Sequence, residues 1–462
     1  MAVDCLTALQ HRGTESSGLV GTVGQPTNHF NIVKGHGLVR DVYNEEIISN
    51  LKDSIAIVGH NRYSTAGMKG AINCVQPFVL YTARGNIAVA HNGELVNASR
   101  TREKIMRSGV GLSTDTDSEL IGQFISKTIA QNLKCQNDKK ELGNITQELA
   151  ATMSAIELSY CLVVMTYDRI YAIRDPYGNR PLSIGCVYGA EKKEGDSPLA
   201  YVVASETCAF PTGTKFHCEV EAGELVEIKR SGIRSVWQMM AKAKSFCIFE
   251  YVYFARADSY FEGQQVHSVR EECGRILAKE SYVEADIVST VPESAMAASL
   301  GYAQQSGITY EPVLYRNAYV GRSFIQPNAE MRQNAVTRKF GVLRANVVDK
   351  RIVLIDDSIV RGNTMRIIVK MLKDQGAKQV HLRIASPPLK HPCYMGINIA
   401  SKDELIAAKL SEDEICTFLG ADSVKYLTLE GLQRAVDAGN KSENKGHCVA
   451  CLTGNYPVDI SF

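Results

Sequence analysis

Two domains, one α+β and one α/β, are predicted for this 462-residue chain by three observations. Up to about residue 230, apolar stretches come as neighbouring short strands with turn residues between them, the pattern of hairpins. Beyond residue 231 strands and helices alternate, which argues for a mostly parallel sheet. Within that alternation an apolar strand ends in two adjacent carboxylates, Asp356 and Asp357, and runs on through a Ser/Gly/Thr loop into a helix. Ligands of parallel α/β sheets sit at such carboxyl ends.

In chain order, residues 54–59 form a strand, and residues 78–90 form two strands that turn at Arg84, Gly85 and Asn86. Helical periodicity runs over 117–131 and 145–158, with Ser113 and Thr114 as capping groups ahead of the first helix. Residues 160–173 read as another hairpin, and the polar stretch 190–197 as a solvated hairpin loop. The Met-, Ala- and Lys-rich stretch 236–245 is the expected connector. The parallel sheet then takes strands at 285–290, 313–315, 352–355 and 380–384, separated by helices such as 294–305 and 363–375.

Lys+Arg 51 against Asp+Glu 50 leaves a net charge of +1, so any anion site is local and neither nucleic acid nor a membrane is expected as a partner. The first residues read as neither a secretory signal nor a transit peptide, and no run reaches membrane-span length. Thirteen cysteines without a signal sequence point to a reducing, cytoplasmic setting with thiols and a metal or cluster, not a disulfide framework.

The segment Val353 to Thr364 suits a ribose phosphate. Backbone N–H groups of Ser358, Ile359, Val360, Arg361, Gly362, Asn363 and Thr364, with the helix N-terminus behind them, can hold a phosphate. Asp356 and Asp357 would repel it, so they address ribose hydroxyls or a magnesium ion riding on a pyrophosphate. The pattern G-x-x-x-x-G-K-[ST] is absent, which argues against an ordinary nucleoside triphosphate loop.

Four strings in the first domain carry further chemistry: Leu9 to Gly13, Gly59 to Gly67, His91 to Leu95 and Thr116 to Glu119. Arg62 offers a fork for a carboxylate, Asp117 an anion for an ammonium, and Asn92 with Gly93 an amide and a backbone N–H for an oxyanion. Together they would clamp the amino-acid end of glutamine and stabilise its attacked amide. Each string alone reads more readily as a turn or a surface ion pair.

In their order, and with Arg174 to Leu182, Cys247 to Arg256, Val291 to Ala295, Tyr319 to Pro327 and Gly446 to Gly454, these strings make the chain resemble the amidophosphoribosyltransferases. That family opens purine synthesis from phosphoribosyl pyrophosphate (PRPP). The resemblance implies an N-terminal-nucleophile αββα glutaminase domain over 1–230 and a type I phosphoribosyltransferase α/β domain over 231–462, ending in a cluster-binding segment. It implies that Arg62, Thr65 and Asp117 hold glutamine and that Asn92 and Gly93 form the oxyanion hole. PRPP falls to Arg322, Asp356, Asp357 and residues Ser358 to Thr364, with Arg332 and Gln333 in the loop that closes over it. Magnesium falls to Ser294, Asp356 and Asp357. The resemblance further implies a homotetramer inhibited by purine nucleotides such as AMP and GMP. Cys448 and Cys451 form a C-x-x-C pair open to zinc, redox chemistry or packing. With Cys247 and Cys393 they match the ligands of a 4Fe-4S cluster in cluster-bearing members, zinc being the chemical alternative.

One departure matters. The family's nucleophilic cysteine stands at the mature N-terminus on a strand upstream of the Gln10 to Gly13 segment, and this sequence does not contain that strand. Cys5 lies in the helical lead-in to His11 and is internal, without the free α-amino group that serves such thiols as base. The catalytic nucleophile is therefore expected to be absent, leaving an ammonia-dependent transferase. The alternative is a noncatalytic subunit that assembles with full-length chains. The intact clamp points to truncation of an ordinary enzyme, over long drift after loss of glutaminase activity.

Overall fold

The computed structural model describes residues 1–25, 29–63, 70–135, 143–189, 197–319, 336–399, 401–442 and 444–460. The first domain is built on a six-stranded antiparallel sheet in the order Gly232–Gln238, Glu224–Lys229, Ile170–Arg174, Tyr160–Met165, Gly85–Gly93, Phe78–Thr82. Its faces separate by the two-residue period of a strand. Ile87, Val89, Leu162 and Val164 pack under the helices Asp117–Cys135 and Thr146–Ala155. Ala88, Ala90 and Met165 face the other way, onto a three-stranded sheet centred on Ser16–Thr22, which carries the helix Ala2–Ala8 on its outer side. A second three-stranded sheet, with Ser183–Val187 in the middle, covers the rest of that face through Cys161, Ala172 and Ile184. Helices, sheet, sheet and helix thus form four layers, the αββα form of the N-terminal-nucleophile glutaminases.

The last strand of this domain lies past the boundary expected at residue 230, and the expected connector begins inside it: Val236 and Trp237 pack against the core beneath the helices. The first long helix is capped by Thr116, whose hydroxyl accepts the Glu119 N–H at 3.3 Å. Ser113 and Thr114, expected as caps, instead donate their N–H and hydroxyl groups to the Glu119 carboxylate at 2.6–2.8 Å.

The second domain is a four-stranded parallel sheet in the order Ile287–Thr290, Arg351–Asp356, Gln379–Ile384, Ser423–Tyr426. Ile352 and Leu354 turn to the helices Asn363–Asp374 and Glu412–Leu419, and Val353 and Ile355 to Val266–Glu280 and Met296–Ser306. Strand Arg351–Asp356 has neighbours on both sides, and this places its carboxyl end in the middle of the sheet's rim.

Residues 313–315, expected in this sheet, are not part of it. Leu314–Arg316 pairs antiparallel with Phe340–Val342 as a separate ribbon. Tyr310 already bridges the sheet edge at Val288, and the Val313 N–H is taken by the Ser289 hydroxyl at 3.0 Å, so the chain leaves the ladder before Leu314. Phe246–Cys247 pairs in parallel with His447–Cys448, fastening the end of the chain to the start of the second domain. Among the described residues no helix is long and apolar enough to cross a membrane.

Candidate active sites

At the rim of the parallel sheet, Asp356 closes its strand and Asp357 follows it into the loop. The Asp357 N–H donates to Asp356 Oδ1 at 3.0 Å, and the Ser358 hydroxyl to Asp357 Oδ1 at 2.6 Å. The Ser294 hydroxyl also bonds the Asp357 carboxylate. Burial pushes both carboxyls up, Asp356 further because Asp357 repels its charge, while Ser294, Ser358 and the Arg270 guanidinium pull Asp357 back. Asp357 is buried and Asp356 half-buried, so the two carboxylates repel each other at close range.

Gly362 ends the loop at φ 76, a left-handed conformation suited to glycine, and its Cα faces Ile406 so closely that a Cβ would stand 2.9 Å from Ile406 Cδ1. This bend delivers Asn363 and Thr364 to the helix N-terminus, where their N–H groups have no intrahelical acceptor. The loop is braced from outside: Val360 O accepts the Ile406 N–H at 2.9 Å, and Arg361 pairs with Glu404 at 2.9 Å. Arg322, Arg332 and Gln333 lie outside the described residues.

In the first domain a cavity of about 130 Å³ is lined by Arg62, Asn92, Gly93 and Asp117, so four of the five first-domain site residues come together. Thr65 lies outside the described residues. Arg62 ends its strand, buried, with Nη1 on Glu15 Oε1 at 2.9 Å. Asp117 opens the helix Asp117–Cys135 and accepts the Leu95 N–H at 3.0 Å. Asn92 and Gly93 end the strand Gly85–Gly93, and the Asn92 Nδ2 is buried with no hydrogen-bond partner among the described residues. An amide donor left over in a buried cavity is what an oxyanion hole requires.

Other residues line the cavity too, and among them Gln76, Cys74, Gly396 and Asn398 carried no sequence signal. Gln76 Oε1 accepts the His91 N–H at 2.7 Å and its Nε2 donates to Ser118 at 2.9 Å, fixing the strand that bears Asn92. Burial lowers the His60 imidazole to about 3, so this cavity residue is neutral. Cys74 is the buried thiol that lines the cavity. Cys5 does not line it, although its helical neighbours Leu6 and Leu9 do, and burial raises its thiol. Phe254, Gly396 and Asn398 reach the cavity from the second domain.

The two sites are joined by buried charge. Arg12, a cavity residue, donates to Glu206 at 2.5 Å and to Glu250 at 2.8 and 3.0 Å, and its guanidinium lies 4.5 Å from the ring centre of Phe254. Glu250 opens the π-helical turn Glu250–Phe254, whose carbonyls at Tyr251 and Ala255 accept from Arg270 at 2.7 Å. Arg270 in turn faces the charge of Asp357.

Cys247, Cys393, Cys448 and Cys451 line one hollow together with Phe249, Met395, Ile397 and Tyr456. Burial raises all four thiols, Cys247 to about 12 and Cys448 to about 11, so any metal held here must displace protons. Among the described residues no group of three or more His, Cys, Asp or Glu side chains is gathered as a single metal ion needs.

Residues 60–210 match the family described as a glutamine amidotransferase domain. The chain is 52% identical to amidophosphoribosyltransferase of Drosophila melanogaster, over 98% of this chain and 84% of that one. It is 47% identical to the Homo sapiens enzyme over 99% and 93%, and 42% identical to the Bacillus subtilis enzyme over 98% and 90%. The solved structure of glutamine PRPP amidotransferase from B. subtilis, complexed with ADP and GMP, superposes with a TM-score of 0.86 at 39% identity, covering 99% of this chain and 94% of that one. Likeness at this identity over nearly the whole length decides the family: the chain belongs to the amidophosphoribosyltransferases, the pentosyltransferases of purine biosynthesis.

Proposed function

We propose that this chain joins ammonia to C1 of PRPP, releasing pyrophosphate and giving 5-phosphoribosylamine, and that residues 1–462 draw on free ammonia. The observation that carries the transferase half is the Asp356–Asp357 pair at the centre of the sheet rim, followed by the Gly362 bend into a helix N-terminus. In this reading the N–H groups from Ser358 to Thr364 hold the 5-phosphate. Ser294, Asp356 and Asp357 hold magnesium, which when bound neutralises the leaving pyrophosphate. The repulsion between the carboxylates supports a cation there, because Arg270 and Lys339 offset it only in part and both carboxyls stay raised. Arg322 is assigned to closure over PRPP, excluding the water that competes with ammonia. Ammonia is itself a good nucleophile, so positioning and electrostatics supply the catalysis.

The cavity is assigned to glutamine, with Arg62 and Thr65 on its carboxylate end, Asp117 on its ammonium, and Asn92 Nδ2 and Gly93 N–H on the amide oxygen. The unpartnered Asn92 Nδ2 supports this. Neither thiol near the cavity among residues 1–462 suits the part of nucleophile. Cys5 is internal, raised by burial and away from the cavity lining, and Cys74 has no α-amino base of its own. Ammonia released at this cavity in a chain with a nucleophile would pass internally, along the side of Phe254 and Arg12.

The four-thiol hollow is assigned to a 4Fe-4S cluster that cross-links residues 247, 393, 448 and 451. Four thiols lining one apolar hollow suit such a cluster, with zinc as the chemical alternative. We extend the reading to a cytoplasmic homotetramer inhibited by purine nucleotides such as AMP and GMP, which share the ribose 5-phosphate with PRPP. The relative solved with ADP and GMP supports the nucleotide part.

Pyrophosphate release from PRPP and magnesium, with ammonium and glutamine in separate reactions, tests the proposal. Turnover with ammonium alone is expected. Turnover with glutamine as well overturns the missing nucleophile, and turnover with neither favours the noncatalytic subunit.

A further inference from the structure

A segment of the second domain is seated on the oxyanion glycine of the first. Gly396, at φ 89, lies so close to Gly93 that a Cβ on it would stand 2.8 Å from the Gly93 carbonyl carbon and 2.9 Å from its Cα. On its other side Gly93 meets its own sheet: a Cβ there would stand 2.1 Å from Ser159 O. The Ser159 hydroxyl donates to Met395 O at 3.0 Å, and the Gly396 N–H donates to the Glu94 carboxylate. Gly93 is thus clamped between Ser159 and Gly396, with both clamping residues tied across the domain boundary.

The same segment begins at a thiol of the hollow. The Met395 N–H points to Cys393 Sγ at 3.4 Å, and the Cys448 thiol lies 3.9 Å from Met395 Sδ. Only Tyr394 and Met395 therefore separate Cys393 from the glycine that presses on Gly93. An oxyanion hole works only with its donors about 2.7–3.1 Å from the oxygen, so displacements of a few tenths of an ångström count.

We propose that Gly396 and Ser159 are positioning residues for the oxyanion hole, and that through Met395 they make amide recognition depend on the state of the four-thiol hollow. A cluster bound by Cys393 fixes one end of the segment and holds Gly396 on Gly93. Its loss lets the segment relax and the Gly93 N–H turn away from the amide oxygen. The inference rests on reading the cavity as a glutamine site.

Calorimetric titration of the full 462-residue chain with glutamine, and with norvaline, which keeps the amino-acid end but lacks the amide, tests it. Oxidative bleaching, followed by visible absorbance, removes the cluster. Gly396→Ala is expected to weaken glutamine at least tenfold relative to norvaline with the visible absorbance retained. Bleaching of the unaltered chain is expected to do the same, and bleaching of the variant to add little. If Gly396→Ala does not fold, Ser159→Ala, which adds no atoms, carries the test with a severalfold selective loss of glutamine. An unchanged glutamine-to-norvaline ratio in the variants and after bleaching overturns the inference while leaving the cavity assignment intact. Failure of the unaltered, cluster-loaded chain to bind glutamine overturns both.

Discussion

The loop proposed for phosphate and the cavity proposed for glutamine would hold a small polar ligand in opposite ways. The loop is one stretch of chain, Asp356 to Thr364, and its geometry comes from a strand end, a glycine bend and a helix start. The cavity gathers side chains from strand ends, a helix start and, through Phe254, Gly396 and Asn398, from the other domain. A contiguous site stands or falls with its own backbone. A gathered site is only as well shaped as the packing that brings its walls together, and here that packing includes the domain boundary.

The sharpest way to break the comparison is at the loop. Asp357→Asn keeps the shape and removes one of the two charges meant for magnesium, so ammonium-dependent pyrophosphate release should fall about a thousandfold, roughly 4 kcal/mol in the barrier. The melting temperature should not fall, because the substitution relieves the repulsion with Asp356. Retention of full rate would remove the metal assignment.

At the boundary, Arg12→Ala leaves Glu206 and Glu250 buried without their shared cation. Breaking such a pair costs about 3–5 kcal/mol, and equilibrium urea unfolding should show a loss of this size. If Arg12 instead marks only a local ion pair of the cavity wall, the loss will be below 1 kcal/mol. In the cavity itself, Asp117→Asn should weaken glutamine binding by about two orders of magnitude, roughly 3 kcal/mol for loss of a buried charge partner. Ammonium-dependent turnover should stay, since the loop does not use Asp117. Equal loss of both would mean that the two sites are not separable in the way the geometry suggests.

The same contrast explains what could be read from residues alone. The loop was legible because the strand, the acidic pair, Gly362 and the helix start are neighbours in sequence and their demands are local. Arg62, Asn92, Gly93 and Asp117 could be assigned through the order of their strings, and the structure brings them to one cavity. Gly396 and Asn398 had no such signal, because a glycine or an amide in another domain carries no mark of what it will press against. Local competition misled as well. Thr116 outcompeted Ser113 and Thr114 as the cap because Glu119 drew both of them into its own carboxylate. Residues 313–315 have the apolar character of a strand, but the Ser289 hydroxyl took the N–H that a ladder would have used. The short strand Ser423–Tyr426 went unread, its buried Val424 and Tyr426 alternating with polar neighbours over too few residues.

The finest probe of the boundary is Glu94, whose carboxyl is pushed up to about 7 by burial and then by the charge of Asp117, against the pull of the Gly396 N–H. In the unfolded chain this carboxyl releases its proton near its ordinary value of 4.5. Between these two values the unfolded state gives up the proton and the folded state keeps it, so the group lowers stability as pH rises from about 4.5 to about 7, and no further above that. Glu206 and Glu262 are held down by Arg12, His11, His447 and Lys244, and they act in the opposite sense as pH falls. Those terms are common to the unaltered chain and to Glu94→Gln, so the difference between the two isolates Glu94. Glu94→Gln keeps an oxygen for the Gly396 N–H. It should therefore gain on the unaltered chain as pH rises, by roughly 2 kcal/mol at pH 8, with the two converging at pH 4.5. A constant difference across that range would show that Glu94 is not held between the glutamine cavity and the second domain, and the cavity would then owe less to its partner domain than its walls indicate.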